Sequence, residues 1–293
     1  MELTICMDHL IPVEVGQAVS RGWTSATGGR PMGVTWHWTA TPDLATCRRV
    51  LGGGRAERKG VASSHYAVGR SLAQGVDCYV SLNDRSWHAG IGQTLRWDGR
   101  ASDASTKGSR STIGVETVNL GYSREGIVAG PDWILVAGID GRRMFRVEPW
   151  AEEQVELMIA LGKHILARWD HIGMRDHHGH HDLCPGYKDD VIGFPFARVL
   201  RGIYGPEVPD VWSPFCSPIL RQQALLLCGA QLGSSGPRAD GVDGLWGRIS
   251  DRALTDFQAA NGLVPNGKWS TFVGWKIYDC LAARGINLAQ LAT

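Results

Sequence analysis

The feature that most constrains this chain is a break in its character near residue 205. The segment 205–218, GPEVPDVWSPFCSP, carries four prolines in fourteen residues, and proline neither donates to a backbone ladder nor continues a helix. The sequence therefore divides into a unit over 1–204, a Pro-rich linker over 205–217 and a second unit over 218–293. At 293 residues the chain is long enough for each unit to bury a core. Three short helix signals fill the second unit. Leu220, Ala224, Leu227 and Cys228 form one apolar stripe. Ser250 suits the cap of a second helix carrying Ala253, Leu254 and Phe257, closed by Gly262. Val273, Ile277 and Leu281, four apart, mark a third helix over 269–281. With the turn-rich 240–247 (DGVDGLWG) between the first two, this is a small all-α three-helix domain.

The first unit mixes strand and helix periods. Residues 33–39, GVTWHWT, are β-branched and aromatic, and their alternation sets Val34, Trp36 and Trp38 on one face and Thr35, His37 and Thr39 on the other. Segments 65–68, 76–81 and 112–118 are further strands, the last with Ile113 and Val115 opposite Gly114 and Glu116. Ala151, Val155, Met158, Ile159 and Leu166 recur at helical spacing and predict a helix over 149–169, with Pro149 at its first position. A shorter helix over 43–51 ends at Gly52–Gly54.

Composition narrows the function. The net charge of +1 leaves no field for steering onto nucleic acid or an anionic membrane. No apolar run is long enough to span a bilayer, and residues 1–16, with Glu2 and Asp8, lack the basic and apolar regions of a signal peptide. Seven dispersed cysteines without a CxxC pair argue against a disulfide framework and fit synthesis in a reducing compartment. Twelve tryptophans invite stacking on sugars, although most are expected in the core.

The densest polar cluster is 176–190, DHHGHHDLCPGYKDD. Imidazole and carboxylate are zinc ligands, and a catalytic zinc needs three with one position left for water. Taken alone the cluster reads first as a solvated polar loop, and His37 as a hydrogen-bonded core histidine.

Five blocks in order carry a resemblance that joins these two regions. They are Val34-Thr35-Trp36-His37-Trp38-Thr39-Ala40, Ser63-Ser64-His65-Tyr66, Asn83-Asp84-Arg85-Ser86-Trp87-His88-Ala89-Gly90, Ser111-Thr112-Ile113-Gly114-Val115-Glu116, and the segment from Gly179-His180-His181-Asp182 to Lys188-Asp189-Asp190. Over roughly 34–190 the chain resembles the type-2 N-acetylmuramoyl-L-alanine amidases, which share a fold with peptidoglycan recognition proteins. The resemblance implies an α/β fold with a central mixed β-sheet flanked by helices. It implies Zn2+ on His37, His180 and Asp190, catalytic roles for Glu116 and Lys188, and substrate contacts from His65, Trp87 and His88. Asp189 and His181 stand beside named ligands as alternatives, Val191 replaces the usual proline, and Cys184 is read as a packing residue. The segment 91–110 has no assigned role.

The implied reaction is hydrolysis, by a zinc-activated water, of the amide between N-acetylmuramic acid and L-alanine of the stem peptide. The second unit resembles a three-helix peptidoglycan-binding domain through Asp240-Gly241-Val242-Asp243-Gly244-Leu245-Trp246-Gly247 and Phe257-Gln258-Ala259-Ala260-Asn261-Gly262-Leu263. The expectation is a monomeric, endolysin-like enzyme made in the cytoplasm, acting on bacterial peptidoglycan after release, with no nucleic-acid partner and no membrane insertion. The alternatives are a cytosolic wall-recycling amidase on soluble muropeptides and a non-catalytic peptidoglycan receptor or docking protein.

Overall fold

The computed structural model describes residues 3–11, 19–51, 62–90, 94–288 and 291. Its strands are β1 (Ile5–Cys6), β2 (Val19–Ser20), β3 (Gly33–Trp38), β4 (Tyr66–Val68), β5 (Val76–Cys78), β6 (Arg85–Ser86), β7 (Thr112–Thr117), β8 (Ile134–Ala137), β9 (Met144–Val147) and β10 (His177–Gly179). The helices are α1 (Leu44–Leu51), α2 (Glu152–Arg168), α3 (His180–Leu183), α4 (Phe196–Tyr204), α5 (Pro218–Leu227), α6 (Arg248–Ala260) and α7 (Thr271–Ala283).

A six-stranded sheet runs in the order β1-β5-β4-β7-β3-β10. Its pairs are parallel except β4 with β5, so the sheet is mixed. A mostly parallel sheet needs cover on both faces, and the alternation of β3 and β7 supplies it. Val34, Trp36, Ile113 and Val115 pack against Val155, Met158, Leu161 and Ile165 of α2 and Phe196, Val199 and Leu200 of α4. On the other face Ala67 and Val118 pack with Leu44, Cys47 and Leu51 of α1. Helix α2 begins at Glu152 rather than at 149, because 148–150 stay tied to the end of β7 and the residues after it: the Trp150 indole donates to Thr117 Oγ1 and Asn119 Nδ2 donates to the Glu148 carbonyl. The expected helix stop at Gly52–Gly54 lies outside the described residues.

The second unit holds the three expected helices, α5, α6 and α7. The Pro-rich stretch joins it to the first, but as packed chain rather than as a free tether. Val208, Val211 and Phe215 are buried, and Trp212 stacks on Phe196. Prolines stop a ladder without preventing burial of their apolar neighbours. One continuous core then unites Ala89, Leu183 and Cys184 of the first unit with Leu225, Leu254, Trp269, Phe272 and Val273 of the second. The polar segment after residue 94 threads this seam: Leu95 N–H donates to the Leu183 carbonyl and Val264 N–H to the Gly99 carbonyl.

Arg221 bolts the seam. It is buried, with Nε donating to the Phe215 carbonyl and Nη1 and Nη2 to the carbonyls of Gly138 and Ala137 at the end of β8. Arg221→Leu keeps bulk but leaves three buried carbonyls without their donor. It should lower the unfolding free energy by about 2–5 kcal/mol, read from urea denaturation; a loss under about 0.5 kcal/mol would show that the bolt carries no load.

Candidate metal centre

The sheet register builds the site. Parallel pairing sets His37 of β3 opposite Glu116 of β7. On the other flank β10 pairs Gly179 with Trp36, so the next residue, His180, emerges beside His37. Glu116, His37 and His180 thus form a row at the carboxyl ends of parallel strands, where α/β sheets place their ligands. Asp190 completes the group from the following loop.

Three donor atoms converge. His37 Nδ1 lies 3.0 Å from His180 Nδ1 and 3.3 Å from Asp190 Oδ2, and His180 Nδ1 lies 2.9 Å from the same oxygen. Zinc bonds of about 2.0–2.1 Å in tetrahedral geometry put ligand atoms about 3.3 Å apart, so two imidazoles and one carboxylate in this triangle fit a catalytic zinc. All three residues are buried, at 2%, 3% and 8% exposure. A second grouping, Cys6, His9 and Asp77, is no competitor, because Arg48 and the Tyr79 hydroxyl occupy both Asp77 oxygens.

Hydrogen bonding aims His37 at the centre. The Thr112 carbonyl can only accept, so His88 Nε2, 3.0 Å away, carries a proton. Burial and the neighbouring histidines hold His88 well below the usual imidazole range, so the ring is neutral and its Nδ1 accepts. His37 Nε2, 3.0 Å from that atom, must then donate, which leaves the His37 Nδ1 lone pair facing the triad. Gly114 makes room for this relay: a Cβ there would lie 2.4 Å from His88 Cγ.

Electrostatics give each group a distinct state in the metal-free protein. Burial and His180 lower His37 to about 4. Burial also pulls on His180, but the Asp190 carboxylate outweighs it and raises His180 to about 10. Against its own burial, Asp190 is held well below the usual carboxylate range by His180 and His37. Burial, then Asp190, push Glu116 up to about 8, and its Oε2 has no hydrogen-bond partner among the described residues. Lys188 is half-buried beside the triad and its charge acts on both His37 and Glu116.

The other expected residues separate. Asp189 points away to Arg143, and His181 turns from the triad toward Asp182. Cys184 is buried and donates to the Ala89 carbonyl. Two residues expected to contact substrate belong instead to the scaffold. His88 sits behind His37, and His65 is buried with Nδ1 accepting from Gly114 N–H and Nε2 donating to the Asp84 carbonyl, stacked on Trp23. Trp87 differs: it is 41% exposed. It lines a groove of about 540 Å³ with Arg85, Gly90, Lys107, Ser109 and Arg110. The triad does not line this groove, and the two are joined through 86–90, the stretch that also carries His88. Four histidines of the 176–190 cluster do four jobs. His180 faces the triad and His181 the loop, while His177 bonds Trp36 and Tyr204 in the core and His178 packs on Phe272.

A zinc ion held by this triad would have to displace the proton that His180 holds beside Asp190. Because that group stays protonated up to about 10, zinc affinity should rise about tenfold per pH unit across the neutral range. Calorimetry in buffers of different ionisation enthalpy should count about one proton released per zinc; no release would show His180 to be neutral already.

Comparison with known proteins bears on this geometry. Residues 27–190 match the N-acetylmuramoyl-L-alanine amidase family. Among solved structures, the chain is similar to the N-acetylmuramyl-L-alanine amidase AmiD from E. coli, solved with a muropeptide substrate. They share 21% identity over 88% of this chain and 92% of that one, with a TM-score of 0.49. AmpDh3 from Pseudomonas aeruginosa is 20% identical over 87% and 93%, with a TM-score of 0.47. A mutant endolysin from Bacillus subtilis is 17% identical over 69% and 99%, with a TM-score of 0.42. Comparison with curated protein sequences gives no match. The match over 27–190 spans more than half of the 293 residues, and on it the chain belongs to the N-acetylmuramoyl-L-alanine amidase family and is a peptidoglycan amidase.

Proposed function

We propose that this amidase uses zinc held by His37, His180 and Asp190 to cleave the bond between the lactyl group of N-acetylmuramic acid and L-alanine. The observation that carries the reading is the buried row Glu116–His37–His180, with Asp190 closing a triangle of donor atoms. Zinc in that triangle supplies Lewis-acid polarisation of the scissile carbonyl and a water acidic enough to react near neutral pH. Glu116 takes a proton from the attacking water as its oxygen bonds to the lactyl carbonyl carbon. It then delivers that proton to the alanine nitrogen as the C–N bond breaks. The products are a muramic carboxylate and a stem peptide with a free amino terminus. Lys188 sets positive charge near the developing oxyanion. The groove beside Trp87 offers Arg85 and Arg110, cations that suit the carboxylates of a stem peptide.

Insoluble wall is the substrate favoured by the three-helix unit, which resembles a peptidoglycan-binding domain over 240–247 and 257–263. We therefore read the protein as endolysin-like, made in the cytoplasm and released onto the wall as a monomer. A recycling role on soluble muropeptides is the second reading.

Isolated peptidoglycan incubated with the protein should release stem peptides that begin with L-alanine, identified by mass spectrometry, beside intact glycan strands. A chelator should stop the release and added zinc restore it; cleaved glycan, or release indifferent to chelation, would overturn the zinc amidase mechanism. Faster turnover of soluble muropeptides than of intact wall would favour recycling. Glu116→Gln should retain zinc while kcat falls about 10²–10⁴-fold. The wild-type acid limb should have its midpoint below the metal-free value of about 8 for Glu116, because a nearby dication favours the carboxylate, and the variant should lose that limb.

A further inference from the structure

We propose that the three-helix unit is a working part of the metal centre: the amino end of α7, acting through Asp182 and His181, fixes the segment that carries Asp190. The inference rests on the zinc reading of the triad, and it makes His181 and Asp182 positioning residues.

The chain of contacts starts at the ligand. Both polar atoms of the peptide that leaves Asp190 are bonded to His181. The His181 backbone N–H donates to the Asp190 carbonyl at 2.5 Å, and His181 Nδ1 accepts from Val191 N–H at 2.9 Å. Two bonds from one residue fix where Asp190 stands relative to its neighbour His180. Because Nδ1 accepts, the ring proton is on Nε2, which lies 3.1 Å from Asp182 Oδ1. The ring also rests on Gly179, where a Cβ would come 2.7 Å from His181 Cε1.

Asp182 is itself buried and needs partners to hold its charge. One comes from the end of β10, as Gly179 N–H donates to Oδ2 at 2.6 Å. Another comes from the second unit, 89 residues away, as Thr271 N–H donates to Oδ1 at 2.9 Å. Thr271 opens α7, so this amide is one of the four that a helix leaves unpaired, at the positive end of its dipole. Ser270 Oγ caps Val273 N–H, which leaves Thr271 N–H for Asp182. Packing holds the helix end in place. Phe272 lies against His178 and over Gly99, and Val273 is buried in the core shared with Leu183 and Cys184. The polar path therefore runs from α7 through Asp182 and His181 to the Asp190 peptide, and every residue on it is buried.

Two substitutions in the full chain test the link. Asp182→Asn is isosteric and replaces one acceptor oxygen with a donor. Thr271→Pro removes the N–H together with the hydroxyl that lies 3.4 Å from His178 Nδ1, off the path; proline suits the first position of a helix, and Ser270, at φ −153° and ψ 167°, already has the extended backbone that precedes proline. Arg175→Ala serves as control: it breaks an exposed ion pair with Asp279 on α7 but touches nothing in the path. Zinc dissociation constants come from competition with a chromogenic chelator, and helix content from circular dichroism. The expected result is zinc binding weakened about 10–100-fold in each of the two, unchanged within about twofold in the control, and no worse in the double variant than in the weaker-binding single. Singles that bind zinc like wild type, or a double whose losses multiply, would overturn the relay. Should Thr271→Pro lose helix, Asp182→Asn decides alone. A wild-type protein that takes up no zinc would instead overturn the zinc reading itself.

Discussion

Two parallel pairings at adjacent registers determine the chemistry of this molecule. Because β7 sets Glu116 opposite His37 and β10 delivers His180 alongside, a carboxyl group and two imidazoles stand in one row without any loop having to carry them there. A slip of one residue in either pairing would turn the row to the other face, where Trp36, Ile113 and Val115 pack on α2. The apolar half of each strand therefore holds the polar half in register. Burial of the core and assembly of the site are one constraint seen from two faces of a sheet.

Tautomers carry the same logic further. The Thr112 carbonyl determines which nitrogen of His88 is protonated, His88 determines His37, and the outcome is a lone pair aimed at the triad. His181 repeats the pattern with a backbone N–H at one nitrogen and a carboxylate at the other. Backbone groups, whose donor or acceptor character does not change, thus specify ring states that would otherwise be ambiguous.

Local pattern made part of this legible. Alternation in β3 and β7 is strong, so the faces of His37 and Glu116 could be read from the chain, as could helix α2 and the three helices of the second unit. His177–Gly179 gave no strand signal, because a buried edge strand made of two histidines and a glycine lacks the apolar residues that announce one. The hairpin of β8 and β9 did carry a signal, an Asp140–Gly141 turn between apolar runs, weakened because Ile134 and Leu135 face outward. His65 and His88 looked like groove residues because their motif is one; that Gly114 leaves space for His88, and that Asp84 and Gly114 engage His65, are tertiary facts. The prolines of 205–218 said nothing of Val208, Val211 and Phe215 lying buried beside them.

That burial changes how a second domain can help. A flexible tether raises the local concentration of substrate while leaving the catalytic unit free to turn. A docked domain keeps one orientation to the catalytic unit, and it couples the stability of the two units. The tryptophans show which arrangement this chain has adopted. Trp212, Trp246, Trp269 and Trp275 are spent on the second unit's core and its seam with the first, with Trp246 covering Gly141 and Trp269 N–H bonded to Ile139. Of the twelve, only Trp87 is more than about a third exposed. A ring available to stack on a sugar or peptide thus stands in the groove next to His88, the histidine behind His37.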